Sequence, residues 1–223
     1  VLQHPHLFKV LAFYESLRKH SEKFNLFICC MDQLTFTFLK NKNIKNIILI
    51  PVKSFENPTL KKIKKERKIN EYCWTLKPYL CSYILLNYGE VDHIIYCDAD
   101  KFFFSDPTAL LDEWGLYSIF LCRQRGTPEL EHKFGMYQAG LIGFKREKNS
   151  LDILSWWKMK CLENCSKTYD AYYNSWGDQK YLDGIPLLFG NIKIIDNIGI
   201  NVAPWNLVMN NDHAISEKTH KFI

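Results

Sequence analysis

No apolar stretch in this 223-residue sequence reaches the roughly 18 residues that a membrane-spanning helix requires. The first residues, Val1 to Phe8, lack the charged-then-apolar layout of a secretion signal, so the chain reads as cytoplasmic. None of the eight cysteines (Cys29, Cys30, Cys73, Cys81, Cys97, Cys122, Cys161, Cys165) falls in a Cys-x-x-Cys pair, which excludes the usual structural zinc site. Most lie inside apolar runs, where a free thiol behaves as a small buried hydrophobe, and a chain this long needs no disulfide staples. Internal repeats and interdomain linkers are absent, and the one low-complexity tract is a basic run. No basic stripe interleaved with aromatics occurs, which sets nucleic acid aside as a partner. What remains, 47% hydrophobic and 24% charged, is the composition of a globular protein long enough for a single domain with a large core.

The net charge of +5 is local. Lys61-Lys62-Ile63-Lys64-Lys65-Glu66-Arg67-Lys68 holds six positive groups and one negative, so the rest of the chain is formally neutral. The plain reading of such a run is a solvated helix or loop. The sharper one is a patch in peripheral contact with an anionic membrane, where each basic residue contributes about 1 kcal/mol.

The most informative segment is Ile94-Ile95-Tyr96-Cys97-Asp98-Ala99-Asp100. It reads as a buried strand ending in two carboxylates one residue apart. Side chains alternate along a strand, so Asp98 and Asp100 leave the same face. Like charges so close need something positive between them, most simply a divalent cation. Mg²⁺ and Mn²⁺ take oxygen ligands and share open positions with substrate phosphates. The plain alternative is a pair of turn-forming or capping acids.

Periodicity places helices over Phe8–Lys19, Leu34–Leu39, Tyr72–Tyr88, Thr108–Trp114 and Asn149–Leu162, with Trp156 and Trp157 as packing residues. Pro78 is expected in the first turn of its helix and Gly89 at the stop. Strands are expected at Phe24–Met31, Asn46–Val52, up to Asp98, at Ser118–Cys122, Gln138–Phe144 and Asn191–Asp196. Arg123–Gly135 reads as a loop, and Gly177–Leu182 starts a short helix. Alternating strands and helices imply an α/β domain with a mostly parallel sheet flanked by helices. Ligands in such sheets bind outside the carboxyl ends of the strands, where Asp98 and Asp100 sit.

Four features recur in one order: Asp-x-Asp after a strand, the small-residue strand Gln138-Ala139-Gly140, Asp178-Gln179 at a helix start, and Pro204-Trp205. Over about Thr75 to Leu207 the chain resembles the GT-A fold nucleotide-sugar glycosyltransferases, more narrowly family eight, the glycogenin and lipopolysaccharide galactosyltransferase group. The resemblance implies that Asp98 and Asp100 hold Mn²⁺ or Mg²⁺ against the diphosphate of a UDP-sugar, with Ala99 beside the donor. It implies that Gln138, Ala139 and Gly140 line the donor sugar and that Asp178 and Gln179 lie beside the anomeric carbon. Lys77 corresponds to a cation from the long helix that approaches the donor phosphates. The implied activity is retaining, metal-dependent transfer to a glycan or glycolipid acceptor.

The departures are equally specific. The family closes its metal site with a His a few residues before Lys-Pro-Trp. Here no His stands there and Ala203 replaces the Lys; Asn197 is taken as the third ligand, with Asp196 and Asn201 as alternatives. Phosphate neutralisation then falls to Lys77 or to Arg123 and Arg125. The family's first strand, which grips the uracil, has no counterpart before His4-Pro5. Trp205 reads as core, with a sugar platform as the alternative, and Asp178 has the alternative of a helix cap after Gly177. A catalytically impaired nucleotide- or glycan-binding protein on the same fold is the runner-up. A haloacid-dehalogenase-type phosphatase also places Asp-x-Asp after a strand, but expects Thr or Val where Phe102 stands.

Overall fold

A computed structural model describes residues 1–207. In chain order the elements are α1 (Leu7–His20), β1 (Leu26–Cys30), α2 (Gln33–Lys42), β2 (Ile47–Pro51), α3 (Pro58–Glu66), α4 (Ile69–Asn87), β3 (His93–Cys97) and α5 (Thr108–Trp114). They continue as β4 (Ile119–Arg123), α6 (Pro128–Phe134), β5 (Tyr137–Lys145), α7 (Lys148–Glu163), α8 (Ile185–Leu188), β6 (Ile192–Ile195) and α9 (Pro204–Leu207). Side chains start several helices by satisfying first-turn amides. Asp32 accepts from the Thr35 N–H at 2.7 Å to begin α2, and Asn57 accepts from the Leu60 N–H at 2.9 Å to begin α3.

β1 and β2 form a parallel pair, and the other strands form a second sheet in the order β3-β5-β4-β6. β5 runs antiparallel to both β3 and β4, while β4 and β6 are parallel. The architecture is α/β as expected, with a mixed sheet in place of a mostly parallel one. The reason lies between β4 and β5. A parallel crossover must travel back the length of the strand before re-entering the sheet. Here the Gln124 N–H donates to the Met136 carbonyl at 2.7 Å, so the chain returns to the end it left and must run the other way. The expected loop over Arg123–Gly135 contains α6, which Thr127 caps and Pro128 opens.

Alternation along the central strands separates two apolar layers. Ile119 and Leu121 of β4 and Ile142 and Phe144 of β5 join the cluster under α4 and α7. Phe120, Cys122 and Leu141 face the opposite layer, with Phe13 and Leu17 of α1 and Leu110 and Trp114 of α5. In β3, Ile94 and Tyr96 turn toward α4, and the same period sends Asp98 to that side. All eight cysteines are free thiols, most of them buried, and Trp157 is fully enclosed. Among the described residues no helix is long and apolar enough to cross a membrane.

Two local expectations change. α4 begins at Ile69, so Pro78 lies at its tenth residue and not in its first turn. The Trp74 carbonyl therefore lacks its intrahelical partner, a defect that costs about 3 kcal/mol in an ordinary helix. Gly89 stands just past the helix end, as expected, but not in the left-handed conformation of a glycine cap: the helix closes on Tyr88, whose N–H donates to the Ile84 carbonyl at 3.0 Å. Beside β1, Leu2 makes one parallel bridge with Cys30, donating to the Cys29 carbonyl at 2.8 Å and accepting from the Met31 N–H at 2.9 Å.

Gly143 makes room at the middle of the sheet. A Cβ there would overlap the Phe120 ring and come within 3.0 Å of Trp114, both buried. Gly143→Ala is expected to destabilise the protein by about 1–3 kcal/mol through overpacking, read as a lower urea midpoint at unchanged m-value.

Candidate active site

Three separated segments meet at one buried ammonium group. Lys77 projects from α4 and places its Nζ 3.2 Å from Asp98 Oδ1, at the end of β3. The same nitrogen lies 3.1 Å from Asp178 Oδ2 and donates to the Ala139 carbonyl at 3.3 Å. The Tyr96 ring lies 5.2 Å from the ammonium, and its hydroxyl donates to Asp98 Oδ1 at 3.0 Å. An unpaired buried charge would cost several kcal/mol, so both carboxylates are needed to keep Lys77 where it is. Asp178 Oδ2 is buried and has no directed hydrogen bond; its approach to Lys77 is a charge contact.

The three groups titrate away from their ordinary values. Burial pulls Lys77 down, but Asp178 and Asp98 outweigh it and raise its pKa above the usual lysine value. Burial pushes Asp98 up, yet the Lys77 charge, with hydrogen bonds from Lys77 and Tyr96, holds it below the usual carboxylate value. Burial pushes Asp178 up to about 6; Lys77 offsets this only in part, because the charge of Asp98 adds to it.

Backbone packing fixes the rest. Asp178 follows Gly177, whose φ of +55° and tight fit against the Trp74 ring both favour glycine. The Trp157 indole N–H donates to the Asp178 carbonyl at 2.9 Å. The Lys180–Gly184 turn begins with Gln179 at its cap position, and the Asp178 carboxylate faces Lys77 instead. Gln179 brackets two backbones: its Oε1 accepts from the Ala139 N–H at 3.2 Å and its Nε2 donates to the Phe134 carbonyl at 3.1 Å. Gly140 has no side chain for a direct reason: a Cβ would stand 2.6 Å from Asp98 Oδ2. The Asp98 N–H also donates to the Gly140 carbonyl at 3.0 Å. Gln138 folds its Oε1 back to within 3.4 Å of the Gly140 N–H.

Asp98 and Asp100 border two cavities. One, of about 210 Å³, is lined also by Lys9, Trp74, Lys77, Tyr96 and Ala99. The other, of about 600 Å³, is bounded by Phe102, Phe104, Gln138 and the Val202–Trp205 stretch. The Asp98 side chain is 37% exposed and that of Asp100 63%, with Lys9 Nζ 3.8 Å from Asp100 Oδ2. Trp205 is not core: it is 41% exposed and forms a wall of the larger cavity. Arg125 does not point free, since it donates to the Ile200 carbonyl at 2.6 Å and so ties down the stretch before Trp205. Asn201 accepts from Lys101 at 2.6 Å. Asn197 spends its Oδ1 on the Gly199 N–H at 2.9 Å, beside Glu113 of α5, and borders neither cavity. Asp196 pairs with Lys193 at 2.7 Å.

The sequence-based reading missed Tyr96, Lys9 and Trp74. Tyr96 was within reach of it, because a residue two positions before Asp98 must share its face. Lys9 and Trp74 carry no local signal.

The donor chemistry fits a hard divalent cation, but one that the protein does not enclose alone. Asp98 Oδ1 is committed to Lys77 and Tyr96, which leaves its Oδ2 and the Asp100 carboxylate. Among the described residues no three His, Cys, Asp or Glu side chains gather into a metal cage. Two carboxylates with the remaining shell completed by phosphate and water is a normal Mg²⁺ arrangement.

The fold is that of the GT-A glycosyltransferases. The galactosyltransferase LgtC, in complex with donor and acceptor sugar analogs, superposes with a TM-score of 0.65 at 16% identity, covering 94% of this chain and 76% of LgtC. Mouse xyloside xylosyltransferase 1 gives 0.60 at 15% identity over 94% of this chain and 85% of its own. Glycosyltransferase GlyE of Streptococcus pneumoniae gives 0.55 at 15% identity over 88% and 44%. No family model matches the chain. By sequence, the chain belongs to the same family as the uncharacterized protein YfnF of Bacillus subtilis, at 32% identity over 100% of this chain and 75% of YfnF. The uncharacterized protein YfnD of the same organism is 29% identical over 93% of this chain and 68% of YfnD.

Two expectations follow from the geometry. Asp178 with a folded pKa of about 6 against an ordinary 3.8 binds a proton in the folded state that the unfolded chain has released, so its ionisation lowers stability as pH rises through that window. In EDTA, the melting midpoint of Asp178→Asn relative to the wild type is therefore expected to rise between pH 4 and pH 7.5, on top of a constant loss from removing a counter-charge of Lys77; a difference constant with pH would contradict the burial argument. Gly140→Ala is expected to displace the Asp98 carboxylate from Lys77, lowering the melting midpoint in EDTA by several degrees with an unchanged circular dichroism spectrum.

Proposed function

We propose that this protein transfers a sugar from a nucleotide-sugar donor, a UDP-sugar by family resemblance, to a hydroxyl of a glycan or glycolipid acceptor with retention at the anomeric carbon. The observation that carries the reading is the convergence of Asp98 and Asp178 on buried Lys77, beside cavities that Asp100 also borders.

The chemistry asks the protein for two things. The bond from the anomeric carbon to the diphosphate oxygen breaks with its electron pair going to the diphosphate, and the acceptor oxygen takes its place as its proton passes to the departing diphosphate. Charge growing on the diphosphate must be stabilised, and the electron-poor anomeric centre needs a nearby carboxylate. Asp98, Asp100 and Asp178 are matched by three ammonium groups, Lys77, Lys9 and Lys101, so the site has no spare positive charge to offer a diphosphate. That lack is the physical reason for assigning a metal to it. Asp98 Oδ2 and Asp100 would hold Mn²⁺ or Mg²⁺, which would supply Lewis acidity toward a departing diphosphate. Lys77 keeps Asp98 ionised and oriented. Asp178, buried against Lys77 at 3.1 Å, is the carboxylate we assign to the anomeric centre. Gln179 holds Ala139 and Phe134 in place and so positions the sugar-facing strand.

A second reading, donor binding without transfer, is favoured by Ala203 standing where the resemblance implies a Lys and by Asn197 lying beside Glu113. Thermal unfolding with UDP, GDP and ADP, each with Mn²⁺ or EDTA, tests the donor site, because a ligand of the native state raises its midpoint. UDP with Mn²⁺ is expected to raise the midpoint by several degrees. Asp100→Asn should abolish the rise, and Asp178→Asn should keep it while losing UDP release from UDP-sugars in the presence of acceptor glycans. No rise with any nucleotide overturns the proposal; a rise without turnover on an acceptor panel selects the second reading.

A further inference from the structure

We infer that α3, the junction from α3 to α4 and the segment that starts at Lys167 form an edge that docks on an anionic phospholipid bilayer. α3 is anchored by its apolar side, where Leu60 and Ile63 are buried in the main core cluster. Its other side is lysine. Lys61, Lys62 and Lys65 are exposed, as is Lys68 just beyond, with exposed Glu66 among them, and among the described residues Lys61 faces the charge of Glu56 only at longer range. Lys64 differs, being paired with Glu56 at 3.0 Å. Arg67 is withdrawn from the surface: it donates to the Cys161 carbonyl at 2.6 Å and the Leu162 carbonyl at 2.7 Å, closing the end of α7. The helix therefore presents an excess of exposed ammonium groups on a rigid support.

A second segment extends this edge. Glu71 accepts from the Lys68 N–H at 3.0 Å with one carboxylate oxygen and from the Lys167 N–H at 2.9 Å with the other, so the two stretches are neighbours. The chain beyond Lys167 turns back at a bridge between Asp170 and Ser175. At that turn Tyr172 is 88% exposed and packs edge-to-face on exposed Tyr173, with ring centroids 4.9 Å apart. Asp170 Oδ1 accepts from both tyrosine N–H groups, at 2.9 and 3.2 Å, and so holds the pair outward. Exposed Ile69 completes the edge.

Lysines flanked by exposed tyrosines and one isoleucine match a headgroup layer, where cations meet anionic lipid and tyrosine rings sit with one wet and one apolar end. A nucleic acid would call for aromatic faces set between the cations, and the α3 lysine face carries none. The edge also leads into the site. Trp176 lies 5.8 Å from Trp74, which lines the smaller cavity with Lys77 and Asp98. The docking inference stands on this surface alone; its use, bringing a lipid-linked acceptor to Asp178, rests on the transferase reading.

Sedimentation with vesicles of phosphatidylcholine alone, and of phosphatidylcholine with phosphatidylglycerol, tests it on the full chain. Binding is expected only to the anionic vesicles and should vanish near ~0.5 M salt, where screening is almost complete. Replacing Lys61, Lys62, Lys65 and Lys68 together by Gln should weaken partitioning by roughly a hundredfold or more. Tyr172→Ser with Tyr173→Ser should weaken it severalfold at unchanged salt dependence. Equal binding by the four-lysine variant, or no binding by the wild type, overturns the inference; so does capture of soluble polyphosphate without vesicle binding. The UDP midpoint shift, measured on the same variants, reports their folding and the donor site independently. Vesicle binding without a UDP shift would therefore sink the transferase reading and leave the docking edge standing.

Discussion

The ammonium of Lys77 is the constraint on which the site depends. It is buried at the inner face of α4, and a buried cation persists only with its counter-charges in place. Asp98 and Asp178 supply them from parts of the chain 80 residues apart, so the end of β3 and the turn after Gly177 are locked to one helix. The pairing shapes the carboxylates unequally. Asp98 gains Lys77 and the Tyr96 hydroxyl and stays ionised; Asp178 gains one charge contact and retains an oxygen without a donor. A pair of acids made different by environment is what group transfer needs, one to hold charge steady and one to meet a reacting centre.

The surrounding fold protects that arrangement by leaving space where side chains would intrude. Gly140 keeps clear of Asp98 and Gly177 of Trp74. The interior amides are used twice over: Trp157, far inside α7, reaches the Asp178 carbonyl, and Gln179 spans from Ala139 to Phe134. Such fully committed groups rigidify a site but contribute little binding of their own. Open capacity remains at Asp98 Oδ2 and Asp100, which border both cavities, whereas Asp178 is buried behind Lys77.

The positive group expected between the two acids of Asp98-Ala99-Asp100 takes an unexpected form. Part of the compensation is built in: Lys77 neutralises Asp98 from within, and Lys9 approaches Asp100 from outside. A cation bound here would therefore complete a charge balance that the protein has half supplied.

Local chemistry was legible in the sequence because it depends on short-range rules. Period-2 alternation placed Asp98 on one face of a strand end, apolar spacing found the long helix that carries Lys77, and a run of lysines marked α3. Where the ordering depended on distant partners, the sequence was silent or misleading. The mixed sheet follows from a hydrogen bond between Gln124 and Met136 that closes an excursion no periodicity reveals. Pro78 sits mid-helix because tertiary packing holds α4 together upstream of it. Asn197, which the family resemblance alone placed near the acids, is drawn to Glu113, and Trp205 turns out to a cavity wall. The sequence by itself determined which residues carry charge at the end of β3; that a cation from the long helix approaches them came only from the resemblance. Only the tertiary structure decided which carboxylates that cation meets and which oxygens stay free, because burial and pairing are properties of segments that meet in space.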